Sequence, residues 1–277
     1  MPELPEVETI RRDLAPRVVG RSITAVRIVR DRVPTVEGAS PVTFRSKLKG
    51  RRIEGIERRG KYLLFALSGG LHLAVHLRMT GSLLLRNAGD TDDPYLRAVL
   101  SLDNGADLRY ADLRKLGRLR LVEDLRAVTD KLGPDALSDR FTAGYLQRAF
   151  ERRRAPVKAV LMDQKTLAGL GNIYADEALF AARVNPLRRA DSLSEREVKG
   201  VRRGIREVLR EALGNRGSSF RDYVDANGQA GRHQIKVKVF RRTGQPCYVC
   251  GAEIQRAKVG GRSAHFCPRC QPAPGSP

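Results

Sequence analysis

The chain has 277 residues, enough for about two domains of ordinary size, and its 52 Lys and Arg residues against 31 Asp and Glu leave a net charge of +21. Folding does not need this excess, because like charges destabilise the compact state, so it indicates a polyanionic partner. Hydrophobic residues make up 41% of the chain, which disfavours intrinsic disorder. With no apolar run near the roughly 18 residues that span a bilayer and no targeting pattern at the start, we expect a cytoplasmic protein.

The first predicted element is a short amphipathic helix over about residues 5–15. Pro5 suits a first helical position, and the carboxylates of Glu6 and Glu8 suit a first turn, where they meet the positive end of the helix dipole. The apolar residues recur at i, i+3 and i+7, namely Val7, Ile10 and Leu14. The pattern therefore predicts a helix with one face buried.

The residues before this helix are candidates for chemistry. Removal of Met1 would expose Pro2 as a secondary amine with a pKa near ~8, which can attack an electrophilic carbon and form an iminium. A proline at position 2 more often has no such role, but Glu3 and Glu6 stand beside it. Because Glu6 precedes Ile10 by four residues, it lies at the edge of the buried stripe, where a desolvated carboxylate is a candidate acid–base partner.

From Ser22 to about Val122 the pattern indicates β-strands. Alternating or β-rich runs cover residues 22–30, 61–67 and 71–77, and Asn104-Gly105 is a strong hairpin turn between two further strands. We interpret this region as an antiparallel β-sandwich that, with the first helix, forms a domain over residues 1–130.

A break at Leu132-Gly133-Pro134-Asp135 is a candidate linker, and helical periodicity dominates after it. One helix face is predicted from Val198, Val201, Ile205, Val208, Leu209 and Leu213. Ser194 and Glu197 form a capping box at its start, and Gly214-Asn215 ends it. We therefore expect a second, helical domain over residues 131–277 and an α+β protein as a whole.

All four cysteines occur in two Cys-x-x-Cys pairs, Cys247 with Cys250 and Cys267 with Cys270, separated by sixteen residues. This spacing is typical of one structural zinc ion held by four thiolates. The alternative, a pair of disulfides, requires an oxidising compartment. Between the pairs, Arg256, Lys258 and Arg262 surround Gly260-Gly261, which predicts a hairpin with a basic tip inside a zinc finger at about residues 240–271. A zinc hairpin beside a basic surface favours nucleic acid over an anionic membrane surface.

Several motifs together resemble one family, the bacterial formamidopyrimidine-DNA glycosylases. They stand in the same order along nearly the whole chain: Met1 to Thr9 (MPELPEVET), Arg59 to Leu64 (RGKYLL), His76 to Ser82 (HLRMTGS), Leu170 to Ala175 (LGNIYA), and the cysteine segment. The resemblance implies an N-terminal helix with a β-sandwich, then a helix–two-turn–helix domain with a zinc-finger hairpin.

The resemblance also implies an activity, the excision of oxidised purines such as 8-oxoguanine and formamidopyrimidines, followed by cleavage of the strand through β,δ-elimination. It places Pro2 as the nucleophile at C1′ and Glu3 as the proton donor to the opening sugar. Lys61 matches the lysine of β-elimination, and Arg262 the hairpin arginine of the lesion phosphate and δ-elimination. From the residues alone, Lys61 would be a solvated strand charge and Arg262 a plain phosphate contact.

DNA contacts follow from the same resemblance. Met79 and Leu116 match side chains that wedge into the space left by a flipped base, and Arg114 matches the arginine that meets the orphaned cytosine. Asn172 stands at a predicted helix start, where backbone N–H groups favour phosphate. Further contacts with the DNA backbone or lesion are expected from Glu6, His76, Tyr95, Arg153 and Lys158. Without the family, Met79 would be assigned to the core, and Arg152-Arg153-Arg154 to a solvated charge run.

This chain departs from the family pattern at several positions. Leu116 stands where a phenylalanine wedge is usual, so stacking of an aromatic ring on the neighbouring base is lost. Arg78 replaces a glycine beside Met79, and Phe240-Arg241 replaces Tyr-Gly. Tyr95 occupies the place of a histidine. None of these changes removes Pro2, Glu3, Lys61 or a cysteine.

Two other functions remain open from the sequence. A non-catalytic zinc-ribbon DNA-binding protein would account for the charge and the cysteines. An oxidised-pyrimidine glycosylase of the endonuclease VIII type would keep the chemistry and change the substrate, although Leu4 and Val7-Glu8-Thr9 argue against it. Since no coiled-coil or other oligomer seam is present, we expect a monomer that acts on double-stranded DNA.

Overall fold

The computed structural model describes residues 2–29 and 35–273. These residues form two compact units. The first runs to Asp130 and also includes Asn215–Gln234, and the second comprises Lys131–Gly214 and the residues from Ile235 onward. The predicted first domain and the first stretch of this unit both end at residue 130. Residues 215–234 were predicted in the second domain, whereas in the structure they belong to the first unit.

The first unit contains α1 (Leu4–Val18), α2 (Pro41–Leu48), the short α3 (Arg126–Thr129) and nine strands. The strands are β1 (Ile23–Ile28), β2 (Val36–Glu37), β3 (Ile53–Arg59), β4 (Tyr62–Leu67), β5 (Leu71–His76), β6 (Gly81–Asn87), β7 (Leu96–Leu102), β8 (Ala106–Asp112) and β9 (Arg118–Val122). They form a four-stranded sheet in the order β1-β7-β8-β6 and a five-stranded sheet in the order β2-β9-β5-β4-β3.

One hydrophobic core fills the space between the two sheets. Phe65 and Val75 of the five-stranded sheet and Leu100 and Leu108 of the four-stranded sheet belong to the same buried cluster. Such shared burial is the defining feature of a sandwich, so the predicted antiparallel β-sandwich is confirmed. Its one parallel pair within the described residues is β2 with β9. The sandwich prediction missed α2, which Ser40 caps by accepting a hydrogen bond from the Thr43 N–H.

Helix α1 is three residues longer at its C-terminal end than predicted. Val18 continues the apolar stripe of Leu14 at i+4 and is fully buried, so the helix runs on to reach the core. Pro16 lies in the last turn and forfeits one backbone hydrogen bond there. Predicted strand β1 was also too long, since it ends at Ile28, and residue 30 lies outside the described part of the chain.

Residues 215–234 join the first unit through both core and backbone contacts. Tyr223 and Ala226 lie in the hydrophobic core of the sandwich. The Leu85 N–H of β6 donates to the Ala226 carbonyl, and the Ser218 N–H donates to the Glu6 carboxylate on α1. The sequence of this segment carries no clear period, which is why its position could not be predicted.

The second unit contains α4 (Ala143–Phe150), α5 (Val157–Met162), α6 (Asn172–Ala181), α7 (Glu195–Gly214) and the hairpin β10 (Gln255–Val259) and β11 (Arg262–Phe266). A short 3-10 turn lies at Ala190–Ser192, and another, His233–Ile235, begins in the last residues of the first unit. The predicted face of α7 is confirmed at Val198, Val201, Ile205 and Leu209, which are buried. Its capping box also forms, because the Glu197 N–H donates to Ser194 Oγ and the Ser194 N–H to the Glu197 carboxylate.

The segment predicted as a linker, residues 132–135, is hydrogen-bonded to residues of the second unit. The Gly133 N–H donates to the Gln164 carbonyl, the Ala168 N–H to the Pro134 carbonyl, and Asp135 forms an isolated bridge with Ala168. The segment is thus built into the second unit. Among the described residues, no helix combines the length and the apolar character that a membrane span requires.

Candidate active site and zinc hairpin

The amino terminus is held in a fixed and buried setting. Pro2 is buried, and Glu3, the residue before α1, is 2% exposed. The Glu3 N–H donates to Glu6 Oε2 at 2.7 Å, the part of a capping box that fixes where the helix begins. The chain directly after Pro2 is therefore rigidly placed.

Glu6 has a different setting from the one expected of a DNA contact. Its side chain is 1% exposed, and its second oxygen, Oε1, accepts the Ser218 N–H at 2.8 Å. Both carboxylate oxygens thus bind backbone N–H groups. The predicted burial of Glu6 is confirmed, and its contacts favour a positioning function for the carboxylate over direct contact with DNA.

Lys61 lies in the two-residue turn between β3 and β4 rather than within a strand as predicted, and it is 6% exposed. This burial excludes the solvated strand charge that the residues alone favoured. The turn is tied to α1, because Arg58 binds the Glu8 carboxylate at 3.1 Å and donates to the Gly60 carbonyl at 3.0 Å. Burial alone would raise the pKa of Glu8, but hydrogen bonds from Arg11 and Arg12 and the charge of Arg58 lower it to about 2.

His76, at the end of β5, lies opposite Tyr62 of β4, and their rings meet edge to face at 4.6 Å. Burial and the positive charges of Arg78 and Lys61 lower the pKa of His76 to about 3, so the ring is neutral near pH 7. Its Nδ1 accepts the Arg78 N–H at 3.0 Å, which leaves the proton on Nε2. A neutral histidine with an Nε2–H donor is suited to a phosphate oxygen.

The predicted wedge residues lie on two neighbouring loops of the first unit. Met79 is in the β5–β6 loop and is partly exposed, whereas Arg114 and Leu116 lie exposed in the β8–β9 turn. Tyr95, just before β7, is 55% exposed and adopts a left-handed backbone with φ of 61°. These positions are accessible, as a direct contact with DNA requires.

In the second unit, Asn172 begins α6 with Gly171 as the N-cap, as predicted. Arg153 is exposed in the segment between α4 and α5. Lys158 is 0% exposed. Its Nζ forms an ion pair with Asp176 Oδ1 at 2.7 Å and also donates to the Ser263 carbonyl.

The Lys158 ion pair belongs to a buried network that the sequence analysis missed. Asp176 Oδ2 accepts the His265 N–H at 3.0 Å and lies 3.0 Å from His265 Nδ1. Together with the Lys158 bond to Ser263, these contacts fix β11, whose first residue is Arg262. Arg262 is exposed at the hairpin tip. Only the apolar surroundings of Asp176 in α6 hinted at such a buried charge.

The four cysteine sulfurs all lie within 4.8 Å of one another. Two of the separations are 3.9 Å, between Cys247 and Cys270, and 3.4 Å, between Cys250 and Cys267. Zn–S bonds of about 2.3 Å in a tetrahedron place sulfurs about 3.8 Å apart, so the cluster fits one structural zinc ion. With four protein ligands the ion has no open position, and it stabilises the fold of the hairpin.

The two departures that replace a glycine have a common backbone feature, which Tyr95 shares. Arg78 and Arg241 adopt left-handed conformations with φ of 53° and 59°, a region that glycine occupies without strain. Phe240 lacks the usual hydroxyl, but its ring packs edge-on against His265 at 5.1 Å. The two arginines thus occupy backbone positions that are strained for a residue with a side chain.

Comparison with known proteins gives a consistent result along the chain. Residues 1–119 match the formamidopyrimidine-DNA glycosylase N-terminal domain, and residues 132–224 match the formamidopyrimidine-DNA glycosylase H2TH domain. Residues 244–273 match a zinc finger found in FPG and IleRS. These three matches follow the order of the sandwich, the helices and the hairpin.

Whole-chain relatives agree. The formamidopyrimidine-DNA glycosylase of Heliobacterium modesticaldum is 47% identical, over 98% of this chain and 100% of its own. The MutM (FPG) crystal structure from Thermus thermophilus superimposes with a TM-score of 0.86 at 42% identity, over 98% of each chain. A Lactococcus lactis FPG mutant in complex with Fapy-dG-containing DNA gives a TM-score of 0.90 at 35% identity, over 98% of this chain and 100% of that one. The chain therefore belongs to the formamidopyrimidine-DNA glycosylase family.

Proposed function

We propose that the chain is a bifunctional DNA glycosylase and abasic-site lyase that excises oxidised purines from double-stranded DNA. The observation that carries this proposal is the fixed amino terminus, in which Pro2 and Glu3 are buried and the Glu3 N–H donates to the buried Glu6 carboxylate. Family membership and the net charge of +21 support DNA as the substrate.

In the first step, the secondary amine of Pro2 attacks C1′ of the damaged nucleotide. The bond from C1′ to the base breaks, its electron pair leaves with the base, and the proton released from the Pro2 nitrogen neutralises the base anion. Glu3 donates a proton to the ring oxygen as the sugar opens, and the nitrogen and C1′ form an iminium.

In the second step, the iminium makes the C2′ proton acidic, and transfer of this proton to solvent breaks the C3′–O bond, with the electron pair leaving on the phosphate. In the δ-elimination that follows, transfer of the C4′ proton to solvent breaks the C5′–O bond in the same way. Lys61 supports β-elimination from a turn that Arg58 and Glu8 fix. Arg262 binds the lesion phosphate and supports δ-elimination. A second elimination leaves a phosphate on both strand ends.

Binding the duplex requires contacts with its backbone and a means of filling the space left by the flipped base. His76 Nε2, Arg153, Tyr95 and Asn172 bind the backbone in this proposal. Met79 and Leu116 fill the vacated space, and Arg114 donates to the unpaired cytosine. Glu6 and Lys158 act through other residues, because their charged groups are buried among protein partners.

We also propose that the protein acts in the cytoplasm as a monomer. Four cysteines that must stay reduced to hold zinc favour a reducing compartment.

A panel of duplexes tests the proposed function. Strands carrying 8-oxoguanine opposite C, a formamidopyrimidine opposite C, an oxidised pyrimidine, or no lesion are incubated with the enzyme, and the ends of the products are analysed. We expect cleavage of the two purine lesions with phosphate on both ends. Preferred cleavage of the pyrimidine lesion would indicate an endonuclease VIII-type enzyme, and lesion-independent binding without cleavage a non-catalytic DNA-binding protein.

A further inference from the structure

A single buried carboxylate joins the two wedge loops. Asp112, the last residue of β8, is 1% exposed. Its Oδ1 accepts a hydrogen bond from the hydroxyl of Thr80, the residue after Met79, at 2.6 Å. Its Oδ2 accepts a hydrogen bond from the N–H of Gly117, the residue after Leu116, at 2.8 Å. The loop that carries Met79 and the turn that carries Leu116 therefore bind the same side chain.

Thr80 completes the connection from the other side. The Arg114 N–H lies 3.1 Å from Thr80 Oγ1 and 3.2 Å from Asp112 Oδ1, and it donates to both. The Thr80 hydroxyl, in the loop of Met79, thus donates to Asp112 and accepts from Arg114 in the β8–β9 turn. Hydrogen bonds to a buried carboxylate are stronger than those between neutral groups.

Packing leaves the two loops little freedom to move apart. The Tyr110 hydroxyl donates to Asp112 Oδ2 at 3.1 Å and lies between the glycines that end the two loops. A Cβ on Gly81 would come 2.9 Å from this hydroxyl, and a Cβ on Gly117 would come 1.8 Å from it. Both positions therefore require glycine, and both backbones are packed directly on Tyr110.

A third DNA-facing segment is attached to the same residue through its backbone. The Asp112 N–H donates to the Tyr95 carbonyl at 3.0 Å, and the Asp112 carbonyl accepts from Arg97 Nε at 3.0 Å. Asp112 thus connects the Met79 loop, the Arg114–Leu116 turn and Tyr95.

From this arrangement we infer that Asp112 and Thr80 are positioning residues that make Met79, Arg114 and Leu116 enter the duplex as one rigid unit. This inference rests on the wedge function proposed for those three side chains. A rigid set of wedges loses no conformational freedom on insertion, so more of the binding energy is available to extrude the damaged base. Such rigidity also offsets the ring stacking that Leu116 cannot supply.

The experiment compares Thr80→Val, which removes the hydroxyl at nearly constant shape, with Thr80→Ser, which keeps it. Extrusion is followed by the fluorescence of 2-aminopurine beside an 8-oxoguanine in duplex DNA. We expect Thr80→Val to slow extrusion and base excision about tenfold, whereas Thr80→Ser stays near the parent. Cleavage of an abasic site in single-stranded DNA, which needs no extrusion, should change less than twofold in both variants.

Asp112→Asn provides a second measurement and should give the same split with a larger loss. Equal losses on duplex and single strand would contradict the inference, because they would indicate general disruption of the fold. Unchanged extrusion in Thr80→Val would contradict it as well. Met79→Ala and Leu116→Ala distinguish failure of the wedge function from failure of the coupling between the loops. If these two variants leave extrusion unchanged, the wedge function is contradicted. If they slow extrusion and Thr80→Val does not, only the coupling through Thr80 and Asp112 is contradicted.

Discussion

At the scale of single residues, Arg78 combines backbone strain with an exposed positive charge beside Met79. Its φ of 53° costs about 1 kcal/mol for a residue with a side chain. Arg78→Gly should therefore raise the free energy of unfolding by up to about 1 kcal/mol in chemical denaturation while weakening DNA binding. The slope of log K against log salt should also become shallower by about 0.9, the loss of one phosphate contact.

Arg78→Lys is the matched control, since it keeps the charge and the strain and should leave both quantities near the parent values. A variant Arg78→Gly that binds DNA with an unchanged salt dependence would show that this side chain makes no phosphate contact.

For Lys158 we predict a loss of stability on substitution, because its charge is buried against Asp176. Removing one partner of a buried ion pair leaves the other uncompensated, so Lys158→Met should lower the free energy of unfolding by about 3 kcal/mol. The double variant Lys158→Met/Asp176→Asn should recover part of this loss in thermal or chemical unfolding. If Lys158→Met unfolds like the parent and only DNA binding falls, Lys158 is a direct contact and the network is unimportant.

These residues also show how far the sequence predicts the site. The four cysteines were recognisable because metal ligands on short loops have a characteristic spacing. Motifs and helix periodicity likewise indicated the burial of Glu6. Asp112 and Asp176 were not found, because a buried carboxylate in a strand or helix has at most a weak sequence signal. Its partners, Thr80 and Gly117 for Asp112 and Lys158 and His265 for Asp176, are brought to it only by the fold.

At the scale of elements, local patterns were reliable wherever an amphipathic period was long. Helix α7 was predicted with its capping box, and the hairpin at Asn104-Gly105 joins β7 and β8. Helix α2 has few apolar residues and was hidden among strands, and residues 215–234 take their position from the burial of Tyr223. Tertiary contacts decide both cases, and a single sequence does not contain them.

The zinc hairpin is the element whose stability is easiest to test. Removing the metal with a strong chelator should unfold β10 and β11, because this small hairpin gains its folding energy from the ion. Since Arg262 lies on that hairpin, duplex binding should fall at least tenfold, while far-ultraviolet circular dichroism of the helices changes little. Readdition of zinc should restore binding. Full DNA affinity in chelated, metal-free protein would contradict this function of the hairpin.

At the scale of the whole molecule, the lowered pKa values of His76 and Glu8 predict that the protein loses stability in acid. Folding lowers the pKa of His76 from 6.5 to about 3. Below pH 6.5 the unfolded chain therefore binds a proton at His76 that the folded chain does not bind, and the free energy of unfolding falls as the pH drops. Glu8, with its pKa near 2, adds a further loss below about pH 4.5. Between pH 7 and 5, His76 alone should lower the free energy of unfolding by about 2 kcal/mol.

Chemical denaturation at each pH measures this loss. His76→Asn can still accept the Arg78 N–H through its side-chain oxygen but does not titrate, so it should be less sensitive between pH 7 and 5. A parent and variant with the same pH dependence would show that His76 is protonated normally in the folded state.

The class of binding partner followed most directly from the sequence, through the net charge of the chain. A net charge of +21 identified a polyanionic partner before any motif was considered, and the family assignment agrees with it. The same charge does not distinguish binding from catalysis, because both would depend steeply on salt. That distinction depends on the chemistry at the amino terminus.

The central claim is that the Pro2 nitrogen bonds to C1′ of the damaged nucleotide. Borohydride reduction during turnover of an 8-oxoguanine duplex, followed by proteolysis and mass spectrometry, locates the trapped sugar. The adduct is expected on the peptide that begins with Pro2, with Met1 removed, and should be lost in Pro2→Gly or after extension of the amino terminus by one residue. An adduct on Lys61, or full activity in a protein that retains Met1, would contradict it.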